Sequence, residues 1–260
     1  MKNFEKEKSD DLVIGRNAVT ELLKSGREVD RILVAPTDNK GSIVRIIALA
    51  REKGIVIKDT TTQKLDTLTG GASHQGVVAF AAAAAYVSVE DILQKAKEGG
   101  HAPFIVICDE IEDPHNLGAI LRTCEACAVD GVIIPKRRNV GLTSVVAKTS
   151  AGAVEYVPVA RVSNIAETID SLKKEGVWFY AADMKGENWC AVDYSGSVGL
   201  IVGSEGNGIS RLVKEKSDFL ISLPMLGNIT SLNASVAASV VMYEIARQRM
   251  GLKSVQPKLK

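Results

Sequence analysis

Polar residues are concentrated at the start of an apolar helix near the C-terminus. Ser231, Asn233 and Ser235 open an apolar run that continues to Tyr243. These residue types compete with the helical backbone for hydrogen bonds, so a core helix does not need them there. A helix start offers unpaired N–H groups and the positive end of the dipole, which suit the mouth of a ligand site. Capping of the helix by Ser231 or Asn233 is the alternative interpretation.

A glycine-rich loop follows an apolar strand at residues 200–202. Its sequence is Gly-Ser-Glu-Gly-Asn-Gly, residues 203–208. Glycines allow positive φ angles and close approach of the backbone to a ligand. The spacing matches neither a dinucleotide fingerprint nor a Walker loop, and Glu205 would repel a phosphate. The loop therefore favours a cofactor that lacks phosphate, with a plain turn as the alternative.

A third polar segment, residues 109–123, follows a buried strand and opens a helix. In α/β proteins ligands bind at such strand ends. Asn116 lies at the helix entry, and Arg122 follows beside the small residues Gly118 and Ala119, so we expect Arg122 to be partly buried and to hold a carboxylate or phosphate. The alternative is a solvated charge or an ion pair with one of two acids, Glu110 or Glu125.

The elements around these segments alternate between strand and helix. In the first part of the chain the pattern predicts strands at 31–35, 56–58 and 76–82 and helices at 17–25, 42–53 and 62–68. A helix and then a linker follow within 87–100. In the second part, short Val- and Ile-rich strands are predicted at 104–109, 131–135, 155–158, 177–181, 198–202 and 219–223, separated by helices at 117–128, 144–150, 164–175, 210–217 and 232–250. Such apolar strands predict an α/β fold with a parallel sheet covered by helices on both faces.

Composition limits the class of protein. The chain has 260 residues, 46% of them hydrophobic, and 32 Lys and Arg against 31 Asp and Glu. It is large enough to bury a core, and a whole-chain polybasic binder is excluded, although a local basic patch is not. No apolar signal segment follows the charged start, and the longest apolar run, residues 76–86, is too short to span a bilayer. We expect a cytoplasmic protein that is not in the membrane.

The cysteines fit reduced thiols. Cys124 and Cys127 have the spacing of a redox or zinc pair, but no second pair or His cluster completes a metal site. They lie in a helix-like run, where cysteines pack as small hydrophobes. The remaining two, Cys108 and Cys190, have no partner in the pattern. We therefore predict packing and no metal.

The three polar segments together resemble the signature motifs of the SpoU (TrmH) class of RNA ribose 2′-O-methyltransferases, within the SPOUT superfamily. The likeness covers residues 104–250 and includes the last motif, Pro224-Met225 followed by Ser231-Leu232-Asn233. The first part resembles the substrate-binding domain of that family through residues 14–19 and 73–79. With that domain present, the chain is most similar to the RlmB-like branch, which modifies a guanosine in large-subunit (23S) ribosomal RNA.

The resemblance implies a domain plan. A tail at 1–10 precedes a small, ribosomal-protein-like α/β RNA-binding domain at 11–86, a linker at 87–102, a SPOUT catalytic domain at 103–252 with a deep trefoil knot, and a tail at 253–260. S-adenosylmethionine would lie bent in the knot, held largely by backbone groups. By motif position the cofactor residues are Gly203, Ser204, Leu223, Met225, Gly227 and Leu232. A homodimer with a shared active site is implied, and the apolar helix 234–245 suits the interface.

The resemblance also implies roles in catalysis. A ribose 2′-hydroxyl is a poor nucleophile, so its proton must be taken or the developing alkoxide stabilised. The family pattern places Arg122 there, with Asn116, Glu205, Ser231 and Asn233 around it. Because a guanidinium is effectively never deprotonated in proteins, we interpret Arg122 as binding the adjacent phosphate and the oxyanion.

RNA contacts are predicted in both parts of the chain. In the first part the candidates are Arg16, Asn17, His74 and Gln75, with a polar turn as the alternative for the last two. In the second, the only dense basic cluster is Lys136, Arg137, Arg138 and Asn139. A solvated loop is the alternative there, but beside a proposed RNA site we interpret the cluster as contacting phosphate.

Other functions remain to be separated. A tRNA ribose methyltransferase or an antibiotic-resistance rRNA methyltransferase of the same class would share the chemistry. A catalytically silent RNA-binding or ribosome-assembly factor would lack turnover, although the retained motif residues argue against it. A dinucleotide-dependent oxidoreductase would need a glycine fingerprint and a ribose-binding acid that the chain lacks.

Overall fold

The structure is a computed structural model that describes residues 11–36 and 41–252. The chain separates into two compact units. One comprises the described residues up to Ala85 together with Gly141–Ala147, and the other comprises Tyr86–Val140 and the described residues from Lys148 onward. The tails predicted at 1–10 and 253–260 lie outside the described residues.

The first unit is a small α/β domain, as the sequence predicts. Its sheet has the order β1-β4-β2-β3, in which β2 and β3 are parallel and the other two pairs are antiparallel. Strand β1 is not predicted, because three residues are too few to show a period. The elements are β1 (Leu12–Ile14), α1 (Arg16–Lys24), β2 (Val29–Val34), α2 (Ser42–Glu52), β3 (Val56–Asp59), α3 (Thr62–Thr69) and β4 (Val77–Ala81).

Alternation along the strands of this unit sends side chains to two faces. Ile32 and Val34 of β2 pack in one cluster with residues of α1 and α2. Leu33, between them, packs in a second cluster with Leu65 of α3 and Val78 of β4. The sheet is therefore covered on both faces.

From Tyr86 onward the strands form one six-stranded sheet. Its order is β10-β8-β9-β5-β6-β7, and every neighbouring pair is parallel, which confirms the predicted parallel sheet. The elements are α4 (Val89–Glu98), β5 (Phe104–Asp109), α5 (Pro114–Ala126), β6 (Gly131–Pro135), α6 (Ser144–Thr149), a 3-10 helix (Ala153–Glu155), β7 (Val159–Val162), α7 (Ile165–Lys174), β8 (Trp178–Asn188), β9 (Val198–Gly203), α8 (Arg211–Lys216), β10 (Phe219–Ser222) and α9 (Ala234–Arg249).

The helices pack in two groups. Helices α4, α7 and α8 contribute Ile92, Ile169 and Val213 to one core cluster that also holds strand residues such as Ile107 and Ile201. Helices α5 and α9 lie outside this cluster and contact each other, and they also contact β6 and β9 respectively. The long α9 thereby reaches the strand that leads into the glycine loop.

The segment predicted as a linker is instead part of the second unit. Helix α4 occupies most of residues 87–102, and its Ile92 is fully buried in the core. A Cβ on Gly131, at the start of β6, would lie 2.6 Å from the Ile92 side chain. The apolar face of α4 packs on the sheet, so the helix is not a free connector.

Two strands also differ from the prediction. Residues 155–158 are not a strand, because the N–H groups of Glu155, Tyr156 and Val157 bond back to Gly152 and Ala153 in a 3-10 turn. The strand begins at Val159, four residues later than predicted. Strand β8 was predicted to end at residue 181 but extends to Asn188. The polar end of β8 pairs with residues 221–222 of β10, beyond an irregularity in the register of the two strands.

Candidate active site

The loop after β9 is closed by two backbone hydrogen bonds. The N–H of Ser204 donates to the carbonyl of Gly208 at 3.2 Å, and the N–H of Gly208 donates to the carbonyl of Ser204 at 2.9 Å. Gly208 has a φ of 66°, which favours glycine. A Cβ on Gly203 would lie 2.2 Å from the carbonyl carbon of Gly208, so strand and loop approach too closely for a side chain. Gly203 therefore has no room for a side chain, and the backbone at Gly208 favours glycine.

A buried carboxylate fixes the far side of this loop. Asp109, the last residue of β5, accepts a hydrogen bond from the N–H of Ser210 at 2.8 Å. Ser210 immediately precedes α8, where a negative charge is favourable. The loop is thereby held between the ends of two neighbouring strands.

Three polar side chains from the three predicted segments meet beside the loop. The amide Nδ2 of Asn116 donates to Oε1 of Glu205 at 3.1 Å. The amide Nδ2 of Asn233 donates to Oδ1 of Asn116 at 2.8 Å and also to Oε1 of Glu205. Asn116 is buried. We refer to Asn116, Glu205 and Asn233 as the amide–carboxylate network.

Asn233 also caps helix α9. Its Oδ1 accepts hydrogen bonds from the N–H groups of Ser235 and Val236, at 3.0 and 3.3 Å, and from Oγ of Ser235 at 2.6 Å. The capping interpretation of this segment is therefore confirmed for Asn233. Because the same side chain joins the network through Nδ2, the cap fixes the start of α9 relative to the glycine loop.

Replacing Asn233 is expected to cost more than the loss of an ordinary cap. Asn233→Ala removes a cap worth about 1 kcal/mol and leaves the buried Asn116 carbonyl without its donor, so we expect the free energy of unfolding to fall by about 2–3 kcal/mol. Urea unfolding measures this. The matched control is Asn164→Ala, since Asn164 caps α7 through the N–H groups of residues 166 and 167 and should cost only about 1 kcal/mol. Equal losses in the two variants would contradict the bridging role.

A cavity of about 420 Å³ opens between the glycine loop, the end of β8 and the segment before α9. Five of the six predicted cofactor residues line it: Gly203, Ser204, Leu223, Met225 and Leu232. Gly227 does not, because it lies exposed in the connecting loop with nothing within 4 Å of its Cβ position. Of the predicted catalytic residues, Glu205 and Ser231 line the cavity.

Sequence reasoning did not identify several lining residues. Asp183 and Met184, in the polar extension of β8, line the cavity, as do Lys214 of α8 and Thr230. Asp183 follows the predicted strand 177–181, and the carboxyl end of a parallel strand is a signal that would have found it. Lys214 carries no such signal in the sequence.

Arg122 is exposed, contrary to the partial burial predicted for it. Its side chain has no hydrogen bond or ion pair within the part of the chain that the structure describes, and it lines neither this cavity nor the one described next. The neighbouring Gly118 does not make room for Arg122. A glycine is needed there because a Cβ would lie 1.9 Å from Oγ1 of Thr149. Glu110, a candidate partner of Arg122, is paired with Arg138 at 3.0 Å.

A second cavity, of about 590 Å³, adjoins the network on the side of the loop after β5. Glu205 lines both cavities, together with Ser204, Gly206 and Asn207. The remaining walls are mostly charged or polar and come from Glu110, Ile111, Glu112, Asp113, Asn116 and Arg138. The network therefore stands between two open spaces.

In the first unit, two of the four predicted RNA residues, Arg16 and Gln75, contact each other. The N–H of Arg16 donates to Oε1 of Gln75 at 3.1 Å, and its Nε donates to the carbonyl of Gln75 at 3.0 Å. His74 is buried, and its Nδ1 accepts the N–H of Gly76, so Nε2 donates to Asp66 at 3.1 Å. Asn17 and Gln75 are exposed. His74 thus shapes a polar turn that presents Gln75.

The basic cluster after β6 is partly committed to internal contacts. Arg138 pairs with Glu110, and Asn139 accepts the N–H of Ile111 at 2.7 Å, which ties this loop to the loop after β5. The side chain of Arg137 is exposed and makes no such contact among the described residues. Arg137 is the member most available to a ligand.

Cys124 and Cys127 pack in the interior, as predicted. Cys108, Cys124 and Cys127 are buried, and Cys124 contacts Sδ of Met242 at 3.6 Å. Burial raises the pKa of Cys108 to about 12, with a smaller effect of the Asp109 carboxylate, and raises the pKa of Cys127 to about 11. Only Cys190 is exposed.

Thiol labelling should therefore distinguish one cysteine from three. A raised pKa lowers the thiolate fraction at pH 8, and burial blocks access, so we expect one fast equivalent per chain with a disulfide reagent and three more after unfolding. The fast equivalent should be absent in Cys190→Ser. Rapid reaction of two or more thiols in the folded protein would contradict this packing.

Within 11–36 and 41–252, no three His, Cys, Asp or Glu side chains are grouped so as to hold a metal ion. In the same residues no helix combines the length and apolar character that crossing a membrane requires.

Both parts of the chain match known protein families. Residues 103–243 match the SpoU rRNA Methylase family, and residues 12–87 match the family described as RNA 2′-O ribose methyltransferase substrate binding. YacO of Bacillus subtilis (strain 168), named as a TrmH family tRNA/rRNA methyltransferase, is 49% identical over 240 residues, which cover 92% of this chain and 96% of YacO.

Solved structures share the fold. The SpoU methyltransferase AviRb from Streptomyces viridochromogenes, in complex with AdoMet, has a TM-score of 0.60 at 22% identity and matches 93% of this chain and 91% of its own. The A. aeolicus TrmH/SpoU tRNA modifying enzyme has a TM-score of 0.52 at 29% identity over 62% of this chain and 84% of its own. The chain belongs to the SpoU rRNA Methylase family, a family of RNA methyltransferases that use S-adenosylmethionine.

Proposed function

We propose that this protein transfers the methyl group of S-adenosylmethionine to a ribose 2′-hydroxyl, and that the ribose belongs to a guanosine in 23S ribosomal RNA. The observation that carries the proposal is the amide–carboxylate network, because Glu205 lines both cavities. One cavity suits the cofactor, and the other places open space on the opposite side of Glu205. The match of the first unit to the substrate-binding family supports the choice of ribose and of RNA.

The lining of the smaller cavity fits S-adenosylmethionine. Its walls combine apolar side chains with the backbone of the glycine loop, and Glu205 disfavours a phosphate. We propose that backbone groups at Gly203, Leu223 and Leu232 hold the cofactor, with Ser204 and Met225 beside them. When bound there, S-adenosylmethionine supplies an electrophilic methyl group.

The remaining residues then position the acceptor. Arg122 binds the adjacent phosphate and stabilises the oxyanion, since a guanidinium does not act as a base. Asn116 and Ser231 position the ribose or the arginine, Asn233 orders the loop, and Glu205 orients Arg122 or the guanosine edge. The network geometry supports these roles for the two asparagines and Glu205.

A homodimer accounts for the exposed position of Arg122. Helix α9 carries three exposed apolar side chains at i, i+4 and i+7, which are Val236, Val240 and Tyr243. These form one stripe on a helix that packs against α5, the helix of Arg122. We propose that this surface pairs with a second copy, so that Arg122 of one subunit completes the site of the other.

We propose that the segment 223–233 threads a deep trefoil knot, as in the SPOUT superfamily. This is supported by the cavity lining, to which the glycine loop contributes together with Leu223, Met225 and Thr230. A cytoplasmic location follows from the proposed substrate.

The deciding experiment is methyl transfer from labelled S-adenosylmethionine to unmodified 23S rRNA and to unmodified tRNA, side by side. The product nucleoside is identified by mass spectrometry. Label as 2′-O-methylguanosine in the rRNA alone is the expected result. Label in tRNA would keep the reaction and change the substrate. No label in either RNA, with cofactor bound, would indicate a ribosomal particle as substrate or a binding role.

RNA affinity should depend on Arg137. We expect Arg137→Ala to weaken rRNA binding at low salt and to reduce the slope of log K against log salt by about 1, as for the loss of one phosphate contact. Filter binding over a range of salt concentrations measures the slope. Lys174→Ala, which also removes one exposed cation, is the control. An unchanged slope in Arg137→Ala would remove Arg137 from the RNA site.

A further inference from the structure

One cation lines the smaller cavity, which is the proposed cofactor cavity. Among the described residues that form its walls, Lys214 is the single Lys or Arg, and the other charged side chains are the carboxylates of Asp183 and Glu205. The remaining walls are apolar, uncharged polar or glycine. A ligand that carries a carboxylate would therefore meet two repelling groups and one attracting group.

Lys214 is held in a defined position. It lies in α8, where its N–H donates to the carbonyl of Ser210 at 3.0 Å, and Ser210 is anchored by Asp109. Its Nζ donates to Oδ2 of Asp183, whose Oδ1 accepts the N–H of Lys185 at 3.0 Å. The side chains of Lys214 and Asp183 are 36% and 17% exposed, so the pair sits at the cavity wall and not on the open surface.

The ammonium group of Lys214 keeps hydrogen-bond donors that Asp183 does not use. An ammonium group has three N–H donors, and Asp183 takes one of them. The hydrogen bond from Lys214 is the largest cause that lowers the pKa of Asp183, so the carboxylate beside the lysine stays charged at neutral pH. Two donors of a fixed cation therefore remain for a ligand in the cavity.

We propose that Lys214, oriented by Asp183, binds the α-carboxylate of the cofactor and thereby selects ligands that carry the amino-acid end of S-adenosylmethionine. This proposal rests on S-adenosylmethionine as the cofactor of the proposed function. A carboxylate enters a partly dry cavity at lower cost when a charged donor meets it there, and hydrogen bonds between ionised groups are about twice as strong as neutral ones. Asp183 is a positioning residue in this arrangement.

The test compares two ligands that differ in that end alone. S-adenosylhomocysteine carries the α-carboxylate and α-ammonium groups, whereas 5′-methylthioadenosine keeps the adenosine and thioether without them. We expect Lys214→Gln to raise the Kd of S-adenosylhomocysteine about 10-fold or more while the Kd of 5′-methylthioadenosine changes less than about 2-fold. Isothermal titration calorimetry on the full chain measures both constants.

Three further variants make the result specific. Lys216→Gln changes a lysine of the same helix that pairs with Asp170 outside the cavity, and neither Kd should move. Lys214→Arg keeps the charge and should retain most of the affinity for S-adenosylhomocysteine. Asp183→Asn leaves Lys214 in place without its orienting charge. It should change the Kd of S-adenosylhomocysteine and leave the Kd of 5′-methylthioadenosine unchanged, and it decides the matter if Lys214→Gln does not fold.

The outcomes separate the two proposals. Equal weakening of both ligands, or an unchanged Kd for both, would overturn the role of Lys214 in binding the carboxylate. Failure of the wild-type protein to bind either ligand would overturn the cofactor itself, and with it the proposed function.

Discussion

Arg122→Ala is expected to lower kcat for methyl transfer by about 100- to 1,000-fold, which is typical for loss of one group that stabilises a developing oxyanion. The same change should leave the free energy of unfolding within about 0.5 kcal/mol, because Arg122 is an exposed side chain without an internal contact among the described residues. If the loss of Arg122 lowers kcat and leaves the free energy of unfolding unchanged, the side chain acts on a ligand and not on the fold.

Three measurements on this variant make the expectation testable. Single-turnover transfer gives the rate and urea unfolding gives the stability. Calorimetry with S-adenosylhomocysteine should give an unchanged Kd, since Arg122 does not line the cavity proposed to hold the cofactor. Glu125→Ala is the control, because Glu125 is exposed on the same helix and should keep full activity. Retained activity in Arg122→Ala would remove Arg122 from the mechanism.

The fold was largely predictable because most of its elements are encoded locally. Short Val- and Ile-rich runs gave the parallel strands, and glycine with polar residues marked their carboxyl ends. Strand β7 was misplaced because the 3-10 turn at Ala153–Glu155 takes up the N–H groups that a strand would need. The extension of β8 was missed because it is polar, and only its pairing with β10, more than thirty residues away, makes it a strand.

The candidate site was predictable to the extent that its chemistry depends on backbone geometry. Gly203 could be identified from residue type, since no side chain fits at its position, and the positive φ of Gly208 favours glycine there. The exposure of Arg122 could not be predicted from the sequence, because neighbouring residues do not reveal which side of α5 meets α9. Asp183 and Lys214 come together across the cavity wall from two distant elements, and no spacing rule relates them.

Gly203→Ala is expected to abolish cofactor binding at concentrations that saturate the wild-type protein. The added Cβ would lie 2.2 Å from the carbonyl carbon and 2.3 Å from the carbonyl oxygen of Gly208, and 2.3 Å from the N of Ile209. All three are backbone atoms, so relief requires the loop to move away from β9, and this breaks the Ser204–Gly208 hydrogen bonds. Overpacking of this kind costs about 1–3 kcal/mol, which should also appear as a lower Tm.

Gly196→Ala is the matched control for this change. It adds the same methyl group at a glycine that lines neither cavity, and nothing lies within 4 Å of the Cβ position, so cofactor binding and Tm should stay close to wild type.

The two defective variants also test the shared site. If Arg122 of one subunit serves the cavity of the other, a mixed dimer of Arg122→Ala and Gly203→Ala contains one site with both parts intact. Mixing the two inactive proteins should then restore part of the activity, whereas no recovery after verified subunit exchange would place Arg122 and the cavity in the same chain.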